Sequence, residues 1–145
     1  MNWPVAELIP HAGEMVLLDE LVSCDEERVH ARLRVRPGLL SQADGSLPAW
    51  AGVELMAQAV AAYAGYRTRS AGEPVKLGFL LGTRKYSCNV DAFPVDTLLD
   101  IHASSSLQDE NGMGVFECLL LGPGIRAEAR LNVFCPPDSG EFLQE

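Results

Sequence analysis

A histidine and a carboxylate stand out by their surroundings. In PHAGEMVLLDEL, residues 10–21, His11 sits between a proline and an Ala-Gly pair at the mouth of an apolar run. In PAWAGVELMAQAVAAYAGYRTR, residues 48–69, Glu54 is the only charged side chain before the basic end. Gln58 follows four residues later, which on a helix is the same face. A carboxyl group among apolar neighbours is costly unless it is paired, hydrogen-bonded or protonated. Desolvation favours the neutral form, which is how such a group becomes a general acid near neutral pH. A histidine beside it completes an acid–base pair. The plain alternatives are a carboxylate that reaches solvent at a helix edge and a histidine that merely precedes a strand. His30 and His102 fall on the polar faces of alternating segments, where they are expected to be exposed and without a part in chemistry.

These residues need elements to position them. RVHARLRVR, residues 28–36, alternates Val29, Ala31, Leu33 and Val35 with arginine or histidine, so one face is buried and the other wet. IRAEARLNV, from Ile125, repeats the pattern, and TLLDIHASSSL and MGVFECLLL flank a turn signal at Asn111-Gly112. Those three segments are expected to form an antiparallel meander. EMVLLDEL and GTRKYSCNV are weaker strand candidates, the second followed by a bend at Phe93-Pro94. Residues 48–69 are alanine-rich, free of internal proline and apolar on almost every side, which predicts a buried helix of about five turns. Arg67 and Arg69 suit its C-terminal dipole, and SAGEP ends it. One apolar helix among antiparallel strands implies an α+β arrangement, a curved sheet wrapped around the helix.

Composition bounds the function. With 145 residues, 48% hydrophobic and 21% charged, the chain fits one domain, expected over residues 1–135 with a flexible tail at 136–145. A net charge of −9 argues against nucleic acid or an anionic membrane as the main partner. The N-terminus lacks the basic and apolar regions of a signal peptide, and no apolar run approaches the roughly 20 residues of a membrane span. Cys24, Cys88, Cys118 and Cys135 are scattered without close pairs, so reduced thiols and a cytoplasmic setting are expected. The partner is expected to be a small molecule or another protein.

Taken in order, IPHAGEMVLLDEL, the alternating strand, PAWAGVELMAQAVAAYAG and VKLGFLLGTRKYSCNVDAFPVDTLL resemble the hotdog-fold beta-hydroxyacyl-thioester dehydratases of fatty acid synthesis. Those carry an L-P-H-R-x-P-x-L-L-x-D opening, a helix with P-G-x-x-x-x-E-x-x-A-Q and a later G-x-x-x-A-x-F-x-x-x-V-x-P-G-D strand. The chain is more similar still to the small dehydratase-like proteins of aryl polyene pathways, whose helix reads P-A-W-x-G-x-E-x-M-A-Q-A. The resemblance covers residues 9–99, and the final strands match in pattern only.

It implies a hotdog fold, with Glu54 as the catalytic carboxylate and Gln58, its neighbouring glutamine, among the substrate-binding residues. The fatty acid enzymes place their histidine in G-H-F-P-G-H-P ahead of the helix, whereas RPGLLSQADGSLPAW here has none. His11 matches the family's opening histidine and is left as the candidate base. The glycine that helps bind the thioester carbonyl is replaced by Ala49 or Trp50, although a helix start offers N–H groups whatever its side chains. The implied reaction is dehydration of a 3-hydroxyacyl thioester to a trans-2-enoyl thioester. His11 would be the base, Glu54 the proton donor, N–H groups from Trp50 to Gly52 the oxyanion site, and Phe79 and Leu80 part of an acyl tunnel. It needs no metal or redox cofactor. The substrate is expected on an acyl carrier protein or coenzyme A. Because such carriers are acidic, residues 67–85 are a candidate docking patch, with Arg67, Arg69, Lys76, Arg84 and Lys85 against one acid, Glu73. A homodimer is implied, or a pair with a related hotdog subunit. A hotdog thioesterase and a non-catalytic partner subunit stay open as alternatives.

Overall fold

Strict alternation is what makes the sheet. In the computed structural model, Val29, Ala31 and Leu33 turn inward, as do Leu99, Ile101 and Ala103 and then Phe116, Cys118 and Leu120. The described residues are 4–9, 13–38, 40–72, 79–109 and 111–134, without the side chains of residues 14 and 79–81. After short 3-10 turns at Val5–Glu7 and Gly13–Met15 come β1 (Glu20–Cys24), β2 (Arg28–Arg34) and β3 (Leu47–Pro48). Then follow α1 (Ala51–Ser70), β4 (Phe79–Cys88), β5 (Ala92–Phe93), β6 (Leu98–Gln108), β7 (Met113–Gly122) and β8 (Ile125–Phe134). Six strands form one antiparallel sheet in the order β1-β2-β6-β7-β8-β4, and β3 pairs with β5. The expected meander is β6-β7-β8. Its first turn closes at Gly112, whose φ of +97 suits glycine.

The sheet packs around α1. Leu55, Met56, Ala59 and Ala62 are inaccessible, while Val53, Glu54, Ala57, Ala61 and Ala64 form a half-exposed stripe. The helix is therefore covered on most sides by this chain and left open along one. It ends where Gly72 enters the left-handed region at φ +78. The apolar run after His11 departs from expectation. Its strand begins only at Glu20, because Met15 C=O and Leu17 N–H are taken by the Gln58 side chain and not by a neighbouring strand. Among the described residues Cys24, Cys88 and Cys118 are free thiols, no helix is long and apolar enough to cross a membrane, and no cluster of His, Cys, Asp and Glu is built to hold a metal. Cys135 and the expected tail lie outside the described residues.

On the outer face of the sheet, His30 and His102 are cross-strand partners with rings stacked 4.2 Å apart. His30 Nε2 lies 2.7 Å from Asp100 Oδ1, to which Arg32 Nε also donates at 2.9 Å. Both histidines are half-buried, not exposed as expected. Burial, and then the adjacent His30, push the pKa of His102 below its ordinary value, with Asp100 opposing. The fold thus favours neutral His102. Its contribution is whole above about pH 6.5 and is lost as pH falls below that value. The melting temperature is expected to fall between about pH 7.5 and about pH 5.5, and His102→Gln to flatten that slope. An unchanged slope in the variant would remove the stack as its cause.

Candidate active site

Glu54 stands in the first turn of α1, half-buried, with its Oε1 accepting a hydrogen bond from Gln58 Nε2 at 3.1 Å. The spacing of four residues makes this contact a property of the helix. Tertiary structure adds the rest. Gln58 is wholly buried; its Oε1 accepts from Leu17 N–H at 2.9 Å and its Nε2 donates to Met15 C=O at 2.7 Å. An N–H can only donate and a C=O can only accept, so these two backbone groups fix the orientation of the amide. The remaining Nε2 hydrogen must then point at Glu54. Gln58 was expected among the substrate-binding residues, but its polar atoms are spent on the protein. It ties the segment that follows His11 to the carboxylate.

His11 itself lies outside the described residues. What is described is the chain immediately after it, Gly13–Met15 and onward, held against α1 by Gln58. The other two histidines are on the far side of the sheet from the helix.

At the start of α1, Trp50 is 62% exposed and Ala51 and Gly52 are buried. Gly52 N–H donates to Ala49 C=O at 3.0 Å, which removes it from the expected oxyanion donors. Among the described residues, no backbone bond takes the N–H of Trp50 or Ala51. Ala49 C=O accepts a second bond, at 2.5 Å, from the hydroxyl of Tyr86 in β4. Nothing in the residue pattern flags Tyr86 for this position.

A cavity of about 310 Å³ opens between the segment after His11 and the loop ahead of α1. Val16, Leu17, Leu33, Leu40 and Leu47 give it an apolar side, and Arg34, Arg36 and Ser41 line it as well. Leu17 in its wall donates its N–H to Gln58, which in turn donates to Glu54; neither Gln58 nor Glu54 is a lining residue. Phe79 and Leu80, expected in an acyl tunnel, begin β4, with backbones paired to Phe134 and Val133 and side chains outside the described set. They stand roughly 20 Å along the strand from Tyr86.

The expected docking patch is divided. Arg67 and Arg69 occupy the last turn of α1, where Arg67 covers the Tyr63 ring at 5.7 Å and Arg69 lies 3.8 Å from Glu7. Arg84 and Lys85 are exposed beside Tyr86, at the other end of a helix about 30 Å long. Lys76 and Glu73 lie outside the described residues. Adjacency along the chain does not carry over to the surface, because α1 and β4 run the length of the molecule between the two pairs.

Residues 3–144 match the ApeP-like family profile, described as ApeP dehydratase. The dehydratase heterocomplex ApeI:P from Xenorhabdus doucetiae is similar at 33% identity over 99% of this chain and 97% of that one, with a TM-score of 0.89. A hypothetical thioesterase with coenzyme A from Streptococcus pneumoniae aligns over 80% of this chain and 86% of its own, at 15% identity and a TM-score of 0.61. PaaI from Escherichia coli aligns over 79% and 81%, at 14% identity and a TM-score of 0.58. At such identities these two establish the hotdog fold alone. No match was found among curated proteins.

Proposed function

The chain belongs to the ApeP-like dehydratases, and on that premise we propose that it removes water from a 3-hydroxyacyl thioester carried on an acyl carrier protein in aryl polyene biosynthesis. His11 takes the C2 proton. Glu54 gives its proton to the C3 hydroxyl, which leaves as water while the C2–C3 double bond forms. The N–H groups of Trp50 and Ala51 receive the charge that develops on the thioester oxygen. The observation that carries this reading is the Glu54–Gln58 pair at the helix start, with Gln58 tied to the segment that follows His11. The acyl group enters the cavity beside Leu17, along its apolar side, and the exposed Arg84 and Lys85 meet the acidic carrier.

The working unit is a pair of hotdog subunits. Support comes from Trp50, a large exposed aromatic beside the site, and from the half-exposed stripe along α1, since exposed apolar surface of this kind marks a contact with another protein. A second reading follows from the absence of histidine in residues 36–50 and from the heterocomplex named for the similar structure. In that reading a related subunit brings the histidine and this chain supplies Glu54.

The test is to incubate the purified chain, alone and with its related hotdog subunit, with 3-hydroxyacyl thioesters while following enoyl absorbance and free thiol. Enoyl product without thiol release is expected. Thiol release without enoyl product would replace dehydration by thioester hydrolysis. Turnover by the pair alone would select the second reading.

A further inference from the structure

The pairing of β4 with β8 contains a fault that changes which side chain faces the helix. Arg84 stands opposite Arg130 and Ser87 opposite Glu128, so Lys85 and Tyr86 together oppose the single inward residue Ala129. Strict alternation from Thr83 would turn Lys85 inward and Tyr86 out. The extra residue reverses this. Lys85 adopts φ +57, a left-handed conformation that favours glycine, and is exposed, while Tyr86 takes the inward slot. A strained bulge kept in place of a regular pair calls for a reason, and bulges recur beside active sites because they re-aim a side chain.

The re-aimed hydroxyl meets the helix start. It donates to Ala49 C=O at 2.5 Å, and the same oxygen accepts Gly52 N–H at 3.0 Å, while Ala49 N–H is held by Asp91 C=O at 2.9 Å. Gly52 makes room for it, since a Cβ there would lie 2.3 Å from the Tyr86 oxygen. Burial, reinforced by Cys88, raises the pKa of Tyr86, so the hydroxyl stays a donor across the working pH range.

We propose that Tyr86 is a positioning residue of the dehydration: the Lys85 bulge aims its hydroxyl at Ala49 and so fixes the first turn of α1, with Glu54 on it, relative to the bound thioester. This role rests on the function proposed above. Tyr86 touches no reacting atom. It acts through the backbone at Ala49, so its loss should slow the chemical step and leave substrate binding alone.

The experiment compares the full chain, in its active assembly, with Tyr86→Phe, Gly52→Ala and the double variant, measuring kcat, KM, melting temperature and amide exchange in the first turn of α1. Tyr86→Phe is expected to lower kcat about ten- to a hundredfold with KM within about twofold, and to speed amide exchange at the helix start. Gly52→Ala should destabilise the wild type strongly and the Tyr86→Phe background much less, because the nearest atom then left is the ring carbon at 3.3 Å. A Tyr86→Phe protein with wild-type kcat and exchange would overturn the role while leaving the dehydratase reading intact. So would a Gly52→Ala penalty equal in both backgrounds. No dehydration by the wild-type assembly would overturn the function and this role together.

Discussion

Glu54→Gln is expected to lower turnover at least about a hundredfold while leaving the fold in place, because a positioned acid–base group supplies roughly that much or more. The substitution is nearly isosteric. A glutamine oxygen at the position of Oε1 can still accept from Gln58 Nε2, so the bonds from Gln58 to Met15 and Leu17 survive. What disappears is the proton that the proposed mechanism gives to the departing hydroxyl. Enoyl absorbance checks the rate, and a melting temperature within a few degrees of wild type checks the fold. His11→Ala should give a loss of similar size. If Glu54→Gln alone loses activity, the base belongs to the other subunit of the pair. A Glu54→Gln protein that retains its rate would leave the dehydratase without its acid.

Gly65→Ala is expected to be the most destabilising single-methyl change in the helix. On an exposed face the substitution would gain about 1 kcal/mol of helix propensity. Here the added Cβ would lie 1.9 Å from Leu8 C=O oxygen and 2.7 Å from its carbon. The obstruction is backbone, so no rotamer relieves it, and residues 4–9 must lift from α1. That releases Val5, Leu8 and Ile9, which are 5%, 0% and 4% exposed. Each such side chain contributes about 1.5–3 kcal/mol when buried, offset by about 1 kcal/mol for each backbone residue set free. Three such side chains set against six freed residues leave a net loss of at most about 3 kcal/mol, or up to roughly 10 °C in melting temperature. Proteolysis within residues 4–9 should become fast before the rest of the chain is cut. A melting temperature equal to wild type would show that the crossing at Gly65 is not close. Because His11 follows this segment, turnover should fall as well.

Local periodicity decided much of this molecule. The alternation in residues 28–36 and from Ile125 onward gives the burial pattern of β2 and β8, since period-two sequence and pleat enforce each other. The helix and its Glu54–Gln58 contact follow likewise from a spacing of four on a 3.6-residue turn. A pattern, however, says which face is buried and not what it is buried against. That is why the run after His11 reads as a strand yet spends its backbone groups on Gln58 in α1. It is also why two histidines on separate polar faces meet only once β2 and β6 pair in register. Arg67 and Lys85, close along the chain, part because a helix and a strand carry them to opposite ends. Tyr86 was hidden most completely. One extra residue reverses the inward and outward phase of everything beyond it, and that residue is accepted at Lys85 because Gly52, more than thirty positions away, leaves space for the hydroxyl it re-aims.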